Sequence, residues 1–256
     1  MKILIVNDDG IESKSIRQLA LGLQSYGHLV YVVAPSEEQS GASHAISLKR
    51  GLRIIQNYNW NGIKAIGVSC TPADCVKFGF DVVALKENIK FDLVLSGINN
   101  VPNFGTDIIY SGTVSGAREA AVYGYAGIAL SAINDCDDYS YPTKFVCENL
   151  GSLKKYADVF PVSINFPSCN PDKIMGVKIA RQGVCRYTDR YIEKIENGES
   201  VYYLQGELMN LPNLPDSDAV LLKQGYITMT ALTLDCTDFV GNEQLSRVEK
   251  EALWLA

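Results

Sequence analysis

Histidine is nearly missing from this chain: His28 and His44 are the only two. With so few imidazoles, and no Cys-x-x-Cys pair among the 7 cysteines, nothing points to a structural zinc site. The cysteines are odd in number and scattered, which fits a reducing compartment better than a disulfide framework. Basic charge is short as well. The formal net charge is −6, which argues against a general partner of nucleic-acid polymers or membrane surfaces. No apolar run approaches the length that spans a bilayer. Met1 leads directly into a strand-like run, with no basic segment or cleavage site ahead of it. These absences predict a cytoplasmic protein. They leave room for a small anionic substrate, because a bound cation reverses the local field.

What is present is an alternation of short apolar runs and amphipathic segments. The 256 residues, 47% of them hydrophobic, suffice for one large α/β domain. Ile3–Val6 reads as a buried strand, followed by a helical pattern at Ile16, Leu19, Ala20 and Leu23 that Gly27 stops. Leu29–Val33 then resumes as a strand, giving a βαβ unit and hence a parallel sheet with helices on its faces. Phe91–Leu95 is a further strand, ending at Ser96-Gly97. A helix is expected from Ser111-Gly112-Thr113 to Tyr123, strands at Gly127–Leu130, Val162–Phe166 and Val177–Ala180, and a helix opened by Pro142. Arg186–Tyr203 is rich in charge and tyrosine around an Asn197-Gly198 turn, and reads as a projecting β-hairpin. Tyr226–Leu232 is strand-like and Glu243–Trp254 helical. The expected fold is a Rossmann-like three-layer α/β sandwich with a mostly parallel sheet. It forms a single domain over 1–256, with an arm at about 182–210 and a C-terminal strand and helix at about 216–256.

In such sheets ligands gather outside the carboxyl ends of the strands, and three loops there carry unusual polar content. They are Asn7-Asp8-Asp9-Gly10, the stretch PSEEQSGASH containing Ser40, and SGINNVPNFGTD containing Asn99 and Asn103. Adjacent carboxylates repel unless a cation lies between them. Two carboxylates, a hydroxyl and an amide make an oxygen-only donor set suited to Mg²⁺, Mn²⁺ or Ca²⁺. The following YSGTVSGAREA would set backbone N–H groups and two hydroxyls at a helix start, a site for an anion. Gly112 and Gly116 would remove side-chain bulk where a ligand or another backbone approaches. A cation beside a helix N-terminus suggests phosphoryl chemistry. Each motif alone is ordinary loop chemistry; their coincidence at three strand ends is the signal.

These residues resemble the SurE family, the survival-protein-E nucleotidases. The matching segments are ILIVNDDGI, VVAPSEEQSGAS, TPADCVK, DLVLSGINNVPNFGTDIIYSGTVSGA and DAVLLKQGYITMTAL, in order along nearly the whole chain. The resemblance implies a metal-dependent phosphatase of nucleoside 5′- and 3′-monophosphates, using one divalent ion (Mg²⁺ or Mn²⁺). It also implies a homodimer or tetramer that exchanges a C-terminal arm. By motif, Asp8, Asp9, Ser40 and Asn99 would hold the metal. Asn103 would line the phosphate pocket, and Ser111, Gly112 and Thr113 would cradle the phosphate. Asp8 or Asp9 would double as the catalytic base or nucleophile, and Asn7 would orient the acid loop. Two departures stand out: Gln39 where many relatives carry Arg, and Cys70 where they commonly carry Gly.

Other readings compete. A phospho-accepting signalling domain also pairs acids after its first strand, but needs an acceptor Asp where DLVLS ends in Ser96. A nucleotide-binding module without turnover, and a phosphatase acting on short polyphosphate, would use the same residues. His44 near Ser40 invites a role as general acid, while His28 and Arg118 read as structural or solvated.

Overall fold

Alternation within the first strand decides the layering. In β1 (Lys2–Val6), Ile3 and Ile5 enter one apolar cluster while Leu4 and Val6 enter another, since successive strand residues face opposite ways. A strand buried on both faces belongs inside a parallel sheet. The computed structural model describes residues 1–133 and 136–250, without the side chains of 247–250.

After β1 come α1 (Lys14–Ser25), β2 (Leu29–Pro35), β3 (Ile54–Trp60), β4 (Ile63–Val68), α2 (Pro72–Phe78), α3 (Ala84–Glu87), β5 (Leu93–Asn99) and α4 (Gly112–Val122). Next are β6 (Gly127–Ala132), α5 (Ser140–Ala157), β7 (Val162–Phe166), β8 (Gly176–Ile179), β9 (Arg190–Glu196), β10 (Glu199–Gln205), α6 (Asp218–Lys223), β11 (Tyr226–Ala231) and α7 (Phe239–Lys250). One sheet runs β3-β4-β2-β1-β5-β6-β7-β11-β8. It is parallel except where β3 meets β4 and β11 meets β7. The expected mostly parallel α/β sheet is thus observed. The chain turns from β2 and β4 on one side of β1 to β5 on the other, which makes the carboxyl ends of β1 and β5 a topological switch point.

α1 and α5 cover the face of Ile3 and Ile5, and α2 and α4 cover the face of Leu4 and Val6. α1 buries Ile16, Leu19, Ala20 and Leu23, the stripe the 3.6-residue period requires. Each of its two fully buried Leu side chains adds about 1.5–3 kcal/mol. The hairpin β9–β10 forms its own two-stranded sheet. It turns at Asn197 (φ 51°) and Gly198 (φ 85°), the left-handed pair that a two-residue hairpin loop needs.

Three expectations change. The strand expected to end at Ser96-Gly97 continues to Asn99, with a register shift against β6 between Ser96 and Asn99. A Cβ on Gly97 would meet the Leu130 carbonyl oxygen at 2.2 Å, so glycine here marks a bulge within a strand rather than its end. The β3–β4 hairpin has no counterpart in the sequence reading, because β3 is an edge strand whose side chains are mostly exposed. The cysteines are not all free: Cys136 and Cys169 form a disulfide with Cα atoms 5.6 Å apart. Their separation of 33 residues hides the fact that β6 and β7 are sheet neighbours, which brings the following loops together. Of the expected terminal helix, α7 covers the part to Lys250, and 251–254 lie outside the described residues. Among the described residues no helix is long and apolar enough to cross a membrane.

Candidate metal and phosphate site

The Asn7–Gly10 turn is built by its own side chains. Asn7 donates its amide to the Gly10 carbonyl at 2.9 Å, and Gly10 takes φ +92°, a conformation glycine adopts without strain. Asn7 therefore orients the acid loop. The Gln39 N–H donates to the Asp8 carbonyl at 2.8 Å, and the Ile11 N–H to that of Pro35 at 2.9 Å. The ends of β1 and β2 are thereby tied together at the backbone.

Asp8 is 6% exposed and is gripped by the start of α4. The Thr113 N–H donates to Asp8 Oδ2 at 3.1 Å, and the Thr113 hydroxyl donates to Oδ1. Ser111 is the N-cap, its Oγ accepting from the Val114 N–H at 3.0 Å, as serine commonly does. Gly112 is needed for this approach. A Cβ there would lie 2.9 Å from Asp8 Cβ and 2.9 Å from Pro72 Cγ. At Gly116 a Cβ would meet Ser96 Oγ at 2.6 Å and Val6 Cγ2 at 2.9 Å. Both glycines admit protein rather than ligand.

The two acids differ. Burial raises the Asp8 pKa, with the Thr113 hydrogen bonds opposing it. Asp9 is pushed up to about 7 by burial, then by the negative charges of Asp8 and Glu38, against a hydrogen bond from the Asn100 backbone. Asp9 Oδ2 is buried without a hydrogen-bond partner. An orphaned carboxylate oxygen in a field of negative charge is what a cation would satisfy.

A cavity of about 280 Å³ opens beside them, lined by Asp8, Ser40, Asn99, Asn103, Asp107 and Ser111 among others. Asp9, Gly112 and Thr113 are not in its wall. Asn99 donates its amide to the Val101 carbonyl at 2.7 Å, so its Oδ1 is left to accept a cation. Ser40 is exposed and donates to Glu38. Asn103 is held by two buried residues that the sequence reading passed over. Its N–H donates to Asn165 Oδ1 at 2.8 Å, and its side-chain amide donates to Ser131 Oγ at 2.9 Å. The available signal was a polar residue interrupting each apolar strand, in GIALSA and VSINF. The hard donors fit a hard cation, and among the described residues no cluster of three or more His, Cys, Asp or Glu offers a softer site. A hollow of about 690 Å³ on the hairpin, lined by Thr188, Arg190 and Gln205, is larger but holds no buried acid.

His44 stands apart. Its Nε2 donates to Glu119 Oε2 at 2.7 Å, and it does not line the cavity. Cys70 is buried, with Sγ 3.3 Å from that of Cys75. Gln39 donates its side-chain amide to the Glu38 carbonyl at 3.1 Å.

Residues 3–189 match the model of the family described as "Survival protein SurE". The chain is 36% identical over 257 residues to the 5′-nucleotidase SurE of Alkaliphilus metalliredigens, covering 98% of this chain and all of that one. It is 40% identical over 256 residues to the 5′-nucleotidase SurE of Clostridium beijerinckii, covering 97% and 99%. The crystal structure of the SurE protein from Aquifex aeolicus superposes with a TM-score of 0.79 at 32% identity, covering 97% and 100% of the two chains.

Proposed function

The chain belongs to the survival protein SurE family, and we infer that it is a 5′-nucleotidase, hydrolysing nucleoside monophosphates to nucleoside and phosphate. We propose that it does so with one divalent ion, Mg²⁺ or Mn²⁺, held by Asp8, Asp9, Ser40 and Asn99. The observation that carries this reading is the meeting of the Asp8, Ser40, Asn99, Asn103 and Ser111 side chains at one cavity. When bound, the ion supplies Lewis-acid stabilisation of the charge that develops on the phosphoryl oxygens.

The protein's own groups divide the remaining work. Asn103, fixed by Ser131 and Asn165, lines the pocket that takes the phosphate, and the open end of α4 at Ser111 and Gly112 receives its negative charge. Thr113 holds Asp8 instead of touching substrate, since both its donors are committed. Asp8 is fully engaged by Thr113, whereas Asp9 has its pKa pushed up to about 7, so Asp9 is the acid that takes the proton of the attacking water in this reading. The exposed Tyr110 ring at the cavity rim gives a base a face to stack on. Nucleoside 3′-monophosphates fit the same arrangement. The reading includes a cytoplasmic location and a homodimer or tetramer, in which the exposed Tyr191, Ile195, Tyr202 and Leu204 of the hairpin become covered.

Phosphate release from a panel of nucleotides and short polyphosphate, with each divalent ion and with EDTA, tests this. Metal-dependent release from nucleoside monophosphates is expected. Turnover that chelation leaves untouched would overturn the metal assignment, and polyphosphate as the only substrate would overturn the nucleotidase one.

A further inference from the structure

The mechanism makes no use of a buried carboxylate on α4 that is paired with two nitrogen groups. Glu119, on α4, is 4% exposed, yet it meets two nitrogen groups from two other segments. His44 Nε2 reaches Oε2 at 2.7 Å, and Lys77 Nζ, from α2, reaches Oε1 at 2.6 Å. Burial alone would raise its pKa, but the hydrogen bonds from His44 and Lys77 outweigh it and hold the carboxyl below its ordinary value. Glu119 is thus an ionised group kept inside the protein by its partners, and such groups carry a penalty unless those partners stay in place.

The pairing matters because of what each partner carries. His44 lies four residues after Ser40. The loop between β2 and β3 is fastened along this stretch and slightly beyond it. The Ser43 N–H donates to the Tyr110 carbonyl at 3.0 Å, and its hydroxyl to that of Ile109 at 2.7 Å. Thr71, the N-cap of α2, donates to the Ala45 carbonyl at 2.6 Å, and Asp74 accepts from the Ser47 N–H at 3.0 Å. Among these fastenings, the His44–Glu119 pair is the one that joins the loop to α4 through two side chains. Earlier on the same helix, fewer than two turns away, lies Thr113, which holds Asp8.

We propose that Glu119 is a positioning residue which, through His44, sets the Ser40 loop at the separation from Asp8 that a divalent ion requires. One rigid helix then gauges both sides of the metal site, Asp8 through Thr113 in its first turn and Ser40 through Glu119 and His44 further along. His44 acts as a strut in this arrangement and takes no part in proton transfer to the leaving group. The proposal rests on the reading of Ser40 as a metal ligand.

The test is direct Mn²⁺ binding to the metal-free full-length chain, followed by electron paramagnetic resonance, with the thermal midpoint of each metal-free variant measured alongside. His44→Ala is the first variant, because its side chain is 29% exposed and its loss leaves Glu119 paired with Lys77. Mn²⁺ affinity is expected to fall about 10- to 100-fold, the usual effect of removing a support behind a metal ligand, with little change in the midpoint. His44→Gln, whose amide can still donate to Glu119, is expected to restore most of the affinity. Equal affinities for wild type and His44→Ala overturn the proposal, as does a His44→Gln variant as weak as His44→Ala. Absence of Mn²⁺ binding by the wild type overturns the metal reading itself, and is seen before any substitution is made.

Discussion

Thr113 spends both of its hydrogen-bond donors on a single carboxylate, that of Asp8. The contact joins the first turn of α4 to the end of β1 across 105 residues of sequence. It fixes the orientation of the acid, as supporting partners do for carboxylates that bind metals.

Thr113→Val removes the hydroxyl and keeps the backbone N–H, at nearly constant volume. Asp8 then keeps one of its two anchoring bonds and is free to rotate. The expected outcome is a Mn²⁺ affinity weakened about tenfold or more, with the far-ultraviolet circular dichroism of the wild type. Wild-type affinity in the variant would show that the Thr113 hydroxyl is not needed to hold Asp8.

Asp9 carries a pH signature. Its pKa in the metal-free fold is pushed up to about 7 from an ordinary 3.8. Across that window the folded chain keeps a proton that the unfolded chain has lost, so metal-free stability falls as pH rises from about 4 to about 7. Asp9→Asn removes the buried charge. Its thermal midpoint without metal should therefore exceed the wild type's at pH 8 and lose that advantage near pH 4, while turnover is abolished. A midpoint no higher than the wild type's at pH 8 would contradict the assigned environment.

The disulfide between Cys136 and Cys169 closes a loop of 33 residues, for which chain entropy gives about 3–4 kcal/mol of stabilisation. A reducing agent should lower the unfolding midpoint of the wild type and leave that of Cys136→Ser unchanged. Identical wild-type midpoints with and without reductant would mean that this bond adds nothing.

Much of this was legible in the sequence because period and position coincide. Buried strands such as Ile3–Val6 and Val162–Phe166 advertise themselves as apolar runs, and α1 as a stripe at Ile16, Leu19 and Leu23. That the acid loop, Ser40 and Asn99 lie at the carboxyl ends of strands was legible from the apolar runs that precede them. What stayed hidden depends on contacts between distant segments. Nothing local marks Ser131 and Asn165 as the holders of Asn103, or Glu119 as the partner of His44. The motif predicts Thr113 at a substrate phosphate; in the structure its N–H and hydroxyl both donate to Asp8. Ser96-Gly97 was read as a strand end because glycine usually punctuates; here it lets β5 slip past Leu130 and reach Asn99.

Ser40 and Gly41 sit at the tip of a turn closed by the Ala42 N–H on the Gln39 carbonyl at 3.2 Å. Gly41 takes φ +71°, and a Cβ added there would touch nothing within 4 Å. Opposite them, Asp8 is locked between sheet and helix. The two sides of the site therefore differ in conformational entropy before a ligand arrives. If Ser40 holds a cation as proposed, ordering this tip costs roughly 1–2 kcal/mol for each of its residues. On that reading, affinity can be tuned through the backbone freedom of Gly41, without altering a single ligand atom.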